Sequence, residues 1–171
     1  MSAGSTRTRA LLAPAIAAIA LTAGAPGAQA HHLEDHVKQR DHVEERARSQ
    51  IGARYSYGGS SPRGFDCSGF TRWVFARHGA TLPHSSYEQY EMAERDGFRR
   101  VYKRANLKEG DLVFHKTTSA RVGHAGIYVG GGKFVSATSS GGVRVQSLYD
   151  SYWGPRWVAG TRVPATRRDV D

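Results

Sequence analysis

The chain has 171 residues, with 24 Lys and Arg against 15 Asp and Glu, for a formal charge of +9 with histidines neutral. One cysteine excludes an internal disulfide framework. The basic residues are scattered, and no DNA- or RNA-binding signature accompanies them, so nucleic acid is not expected as a partner.

Residues 1–30 stand apart. Arg7 and Arg9 precede an apolar, uncharged run from Leu11, and an A-x-A triplet ends at Ala30. That order reads as a secretory signal peptide cleaved after Ala30. As a membrane anchor the run would be poor, being short, broken by Pro14 and rich in Ala and Gly. Removing Arg7 and Arg9, and no acid, leaves the exported part at +7. A basic exported protein favours anionic surroundings such as teichoic-acid-bearing walls, anionic lipid or nucleic acid, and charge alone does not choose among them. The expectation is a secreted, extracellular or wall-associated monomer without stable membrane association.

Residues 31–47 form a charged N-terminal helical segment, continuing to about Ile51, with Leu33, Val37, Ala47 and Ile51 as a sparse apolar stripe. His32 and His36 share the i, i+4 spacing that can hold a metal, but no thiolate or carboxylate set completes a site. A solvated helix face is the expectation, and no metal. Residues 48–163 make the main domain, and 164–171 a polar tail.

Within that domain, 53–65 reads as loop, with paired glycines and a proline. A helix is predicted from Cys67 to His78, with Phe70, Trp73 and Val74 at helical spacing and Gly79 as its stop. Ser85 and Glu88 form a capping box that opens a second helix to about Glu94. Short β-branched and aromatic strands follow at 111–116, 124–130, 133–138, 143–148 and 156–163. Helices first and strands afterwards, with hairpin-length gaps, predict an α+β domain with an antiparallel sheet. Trp73, Trp153 and Trp157 are expected in its core, and Tyr57 as aromatic core beside a turn.

The lone thiol is placed for chemistry. Cys67 opens its predicted helix with Asp66 as a candidate cap, where free backbone N–H groups and the helix dipole favour thiolate. Such settings bring a thiol down from about 8.5. Asp66 opposes this by its charge unless the carboxylate binds something else. A nucleophilic thiol also needs a base. Outside the N-terminal segment stand His78, His84, His115 and His124. Of these, His124 is flanked by Gly123, Ala125 and Gly126, which would let another element approach closely.

The stretches RYSYGGSSPRGFDCSGF, GDLVF, GHAGIYVGGGKFVSATSSGGVRV and SYWGPRWVAGTRV resemble the NlpC-type cell-wall cysteine peptidases of bacteria over about residues 48–163. The resemblance implies a papain-like α+β fold and hydrolysis of amide bonds in peptidoglycan stem peptides. The usual bond joins γ-D-glutamate to meso-diaminopimelate or L-lysine. By motif, Cys67 matches the nucleophile and His124 the general base, then acid. Ser136 occupies the orienting position, where the family generally carries His or another polar group, and it would accept a bond from Nδ1–H. Tyr55, with Asp66 and Ser68, matches residues that hold a free amino terminus of the stem peptide. His84 stands where relatives often carry a basic residue, and would line the cleft. No metal or organic cofactor is implied. A non-catalytic wall-binding domain of the same fold, or a related thiol amidase, is the alternative.

Strand parity provides a separate expectation. A three-residue loop at Gly130, Gly131 and Gly132 would set Val129 opposite Lys133 and Gly126 opposite Ser136, with Ser136 diagonal to His124. Thr138 would then lie directly opposite His124 as a second candidate orienter. A two-residue turn would send Ser136 to the other face.

Overall fold

A computed structural model describes residue 1 and residues 42–164. The expected signal peptide, the start of the charged segment with Leu33, Val37, His32 and His36, and nearly all of the tail lie outside the described residues.

Helical residues 42–48 (α1) bury Val43 and Ala47, one turn apart, against the domain. Ile51 does not extend that stripe, and its side chain is exposed. The chain has already turned there, with Gly52 at φ 91 and its N–H bonded to the Val143 carbonyl at 2.9 Å. In the stretch expected as loop, Ser60–Ser61 (β1) and Gly64–Phe65 (β2) form a small hairpin. Two helices follow, Cys67–Ala76 (α2) and Ser86–Arg95 (α3). The capping box forms as expected: Ser85 Oγ accepts from the Glu88 N–H at 3.3 Å.

The strands are Arg99–Val101 (β3), Leu112–His115 (β4), His124–Tyr128 (β5), Lys133–Thr138 (β6), Gly142–Ser147 (β7) and Trp157–Arg162 (β8). They form one antiparallel sheet in the order β3-β8-β4-β5-β6-β7. β3, at the sheet edge, went unread in the sequence because its three residues are Arg99, Arg100 and Val101.

Both faces of the sheet are covered. Leu112, Phe114, Ala125, Ile127, Val135 and Ala137 pack against Phe70 and Val74 of α2 and Tyr90 of α3. On the opposite face Val113 and Phe134 meet Leu148 and Trp153, from the segment between β7 and β8. Burial on both faces explains why β4 reads as a continuous apolar run rather than an alternation. The two helices are tied by a buried amide: Gln89 accepts from Thr71 Oγ1 at 2.7 Å and donates to the carbonyls of Ser68 at 3.0 Å and Pro83 at 2.7 Å. A fully satisfied network of this kind fixes the start of α2 relative to α3.

One core residue is ionisable. His115 is fully buried, stacked on Phe134 at 4.9 Å and edged by Trp153 at 5.0 Å and Trp157 at 5.9 Å. Neither ring nitrogen has a hydrogen-bond partner among the described residues. Burial, then the neighbouring His124 and Arg104, lower its pKa from 6.5 to about 3. The unfolded chain therefore binds a proton as pH falls below 6.5, while the native ring stays neutral until about 3, so stability present at neutral pH is lost on acidification. Between pH 6.5 and 5 this linkage costs about 2 kcal/mol. His115→Phe is expected to remove that loss, so urea unfolding at pH 7 and pH 5 should differ less in the variant. An unchanged pH difference would contradict the assignment.

Candidate active site

Packing fixes where Cys67 stands. Phe65 and Phe70 are fully buried on either side of it, with ring centroids 5.7 Å apart. Asp66 caps α2 with extended backbone (φ −92, ψ 177), accepting from the Gly69 N–H at 2.6 Å. A Cβ on Gly69 would collide with the Gly59 carbonyl and the His84 ring, so only glycine lets the helix start sit this close to the 53–65 segment. Cys67 is thereby the first residue of the helix, as the sequence implied.

His124 opens β5 and pairs with His115 across the β4–β5 ladder. Its ring lies 4.6 Å from that of Trp153, tilted by 32°, and the residue is 7% exposed. Trp153, expected simply as core, is also part of the site wall.

The β5–β6 hairpin has the three-residue loop. Ile127 pairs with Val135 and Tyr128 with Phe134, and the Val129 N–H donates to Lys133 O at 2.9 Å. Gly130, Gly131 and Gly132 all have positive φ (81, 56 and 71), which glycine adopts without strain. Carried on, this register sets Gly126 opposite Ser136, and a Cβ on Gly126 would stand 3.1 Å from that of Ser136. Ser136 accordingly reaches the ring, with Oγ 2.8 Å from His124 Nε2. The nitrogen is Nε2 rather than the expected Nδ1. Thr138 uses its hydroxyl on the Gly142 carbonyl at 3.3 Å, within its own hairpin.

Two residues of this neighbourhood were missed or misread in the sequence. Gln146 of β7 accepts from Ser136 Oγ at 3.0 Å, extending the line from His124 to a third side chain. His84, expected to line the cleft, places Nε2 3.1 Å from each carboxylate oxygen of Asp66. That carboxylate also accepts from the Gly58 N–H at 2.9 Å and Ser68 Oγ at 3.1 Å. Neither residue sits at a local spacing that would betray its contact. Gln146 reads as the alternating polar member of a strand, and His84 meets Asp66 only through the α2–α3 turn.

Cys67, His124, Tyr55 and Trp153 line one cavity of about 730 Å³, with Gln146 and Arg144 from β7. Asp66 and Ser68 are not among the lining residues, and Ser68 Oγ donates its proton to Asp66 Oδ1. Tyr57, expected as core beside a turn, is instead 93% exposed.

The electrostatics differ from the simple helix-terminus picture. Burial pushes the Cys67 thiol above its ordinary value, and the Asp66 carboxylate adds to the rise. The backbone N–H groups of Ala125, Ser68 and Cys67 pull the other way without reversing it. Burial also lowers His124 from 6.5 to about 4. Desolvation therefore overrides the expected depression of the thiol pKa, and favours a neutral thiol beside a neutral imidazole. Among the described residues no group of three or more His, Cys, Asp or Glu could hold a metal ion, and no helix is long and apolar enough to cross a membrane.

Residues 52–162 match the model of the NlpC/P60 family. A protein named murein DD-endopeptidase MepS/murein LD-carboxypeptidase, from Escherichia coli K12, is 42% identical over 113 residues, which are 66% of this chain and 56% of that one. A probable endopeptidase p60 of Listeria welshimeri is 40% identical over 117 residues, 68% of this chain and 21% of its own. The chain thus spans about half the length of the first and a fifth of the second. Among solved structures, the NlpC/p60 domain of the peptidoglycan hydrolase SagA superposes with a TM-score of 0.61 at 26% identity, covering 72% of this chain and 98% of that one. An NLP/P60 protein similar to a lipoprotein, from Staphylococcus aureus, gives 0.62 at 31% identity, covering 74% and 41%. Sequence, register and fold agree, and the chain belongs to the NlpC/P60 family.

Proposed function

We propose that this protein is an exported cysteine peptidase that hydrolyses amide bonds in peptidoglycan stem peptides, at the γ-D-glutamyl–diamino acid bond. The observation that carries this reading is a thiol at a helix start and an imidazole at a strand start on the wall of one cavity. Two of the relatives, one named for murein and one for peptidoglycan, support the substrate class. The signal-like residues 1–30 support export, and the charge of +7 left after their removal supports attraction to an anionic wall.

His124 Nε2 faces Ser136, so Nδ1 is the ring nitrogen left to serve as base. As the substrate seats, the proton of Cys67 passes to His124 and the sulfur attacks the carbonyl carbon. The oxyanion develops near the backbone N–H groups at the start of α2. The C–N bond then breaks, and the departing amine takes the proton from the imidazolium. Water, deprotonated by His124, cleaves the thioester and restores the thiol. Tyr55 on the cavity wall, together with Asp66 and Ser68, is assigned to the free amino end of the stem peptide, for which Asp66 would exchange His84. Arg144 and Asp150 are the only Asp, Glu, Lys or Arg among the described lining residues, and they suit a substrate carrying both carboxylate and ammonium groups.

A second reading, a groove that holds wall peptides without turnover, is favoured by one observation: burial opposes a resting thiolate–imidazolium pair. A third outcome concerns the bond. The Escherichia coli relative is named a DD-endopeptidase, so the competing specificity is an amide between two D-configured centres.

Purified peptidoglycan fragments of defined sequence, digested and read by product mass, separate all three. The native protein should release fragments cut at the γ-D-glutamyl bond, Cys67→Ala should release none, and EDTA should change nothing. Undiminished cleavage by Cys67→Ala would remove the nucleophile assignment. Because the base form of His124 persists down to about pH 4, kcat/KM should hold to about pH 5 and fall below it. An acid limb near 6.5 would contradict the neutral, desolvated base. Arg144→Gln should raise KM for carboxylate-bearing peptides about tenfold, a difference of roughly 1.4 kcal/mol, and leave kcat unchanged. Equal KM values for the two proteins would take Arg144 out of substrate binding.

A further inference from the structure

We propose that Gln146 is a positioning residue that, acting through Ser136, fixes which nitrogen of His124 carries the proton. The inference rests on the peptidase reading for its catalytic consequence, but the placement of the proton stands without it.

The geometry is laid down by the β6–β7 ladder. Phe134 pairs with Gln146 and Ser136 with Arg144, so Gln146 and Ser136 share a face and lie diagonal to one another. Their side chains meet at 3.0 Å, and Ser136 meets His124 at 2.8 Å. The chain of three is enclosed: Ser136 is 0% exposed, His124 7% and Gln146 8%. Water therefore competes weakly for its members.

A carboxamide oxygen can only accept. The single hydroxyl proton of Ser136 is committed to Gln146 Oε1, which leaves lone pairs to face His124. The neutral ring must then carry its proton on Nε2, and its free lone pair lies at Nδ1. Without the amide oxygen, the serine hydroxyl can rotate and donate to Nε2. The ring then takes the Nδ1–H tautomer, in which it cannot accept a proton at the nitrogen left for the thiol. Ser136 alone is thus ambiguous in polarity, and Gln146 removes the ambiguity.

The other end of the amide supports a role beyond packing. Gln146 Nε2 is buried with no hydrogen-bond partner among the described residues. An apolar side chain of similar length would avoid that loss, since an unsatisfied buried donor is costly. The amide also adds no charge. His124 packs near His115 of β4, at 6.4 Å between ring centroids, and Trp153 of the β7–β8 segment, at 4.6 Å; Cys67, Arg144 and Asp150 line the same cavity. A carboxylate at position 146 would hold imidazolium and raise the proton affinity of the ring.

The test is the 15N spectrum of His124 in the intact protein at pH 7, recorded alongside kcat and KM. The native protein should show the neutral Nε2–H tautomer. Gln146→Met should mix the two tautomers and lower kcat about tenfold, with KM within about twofold. Gln146→Glu keeps an acceptor-only partner, so it should retain the Nε2–H tautomer while moving the acid limb of kcat/KM upward by about one unit. Adding Gln146→Met to Ser136→Ala should cost nothing further, because the amide acts through the hydroxyl. An Nδ1–H tautomer in the native protein, an unaltered tautomer and kcat in Gln146→Met, or an added loss in the double variant would each overturn the proposal. A tautomer that responds as described in a protein that cleaves no wall peptide would count against the peptidase reading alone.

Discussion

The site depends on the register of β5 against β6. Strand side chains alternate between faces, so a slip of one residue would carry Ser136 to the opposite face and leave His124 without its partner. The three glycines at 130–132 close the loop in a conformation that side-chain-bearing residues enter with strain, and Gly126 clears the space beside Ser136. At the same end of the sheet, the capped start of α2 delivers Cys67 to the backbone N–H of Ala125, the residue next to His124. Two local devices, a glycine loop and an aspartate cap, therefore bring together groups 57 positions apart in the chain.

Burial then determines the charge state of what has been brought together. A thiol raised and an imidazole lowered by the same loss of water both favour the uncharged forms. One cavity wall therefore carries a neutral imidazole and a neutral thiol rather than a preformed ion pair. His115 belongs to the same dry environment. It packs on Trp153, which in turn faces His124, so the aromatic wall of the cavity and the core behind it are continuous.

Much of this was legible in the sequence. The strong signals were short and local: the capping box at Ser85, the helix start at Cys67, the β-branched and aromatic runs after residue 110, and the glycine run that set the hairpin register. What was not legible depended on contacts between elements. His84 satisfies Asp66 across the α2–α3 turn, a contact with no fixed spacing, so the carboxylate seemed to await an external ammonium. Gln146 lies on the neighbouring strand, and its partner is defined by the β6–β7 register, for which the turn at 139–141 gave no comparable pattern. The thiol pKa was misjudged because a helix terminus can be read from a sequence, whereas the depth at which the sulfur is buried cannot. Ile51 was misplaced for a related reason: a chain reversal at Gly52 ends the apolar stripe that periodicity alone would continue.

Family membership accounts for the scaffold, and the line of contacts from Gln146 through Ser136 to His124 is read from this chain's own side chains. The central claim is that the sulfur and the ring rest uncharged. The rate of Cys67 alkylation by iodoacetamide, followed from pH 5 to pH 10 in the native protein, tests it directly. The rate should stay low through neutral pH and climb only in the alkaline range, where the buried thiol ionises. A plateau of rapid alkylation already reached at pH 5 to 6 would reveal a resting thiolate and contradict the account.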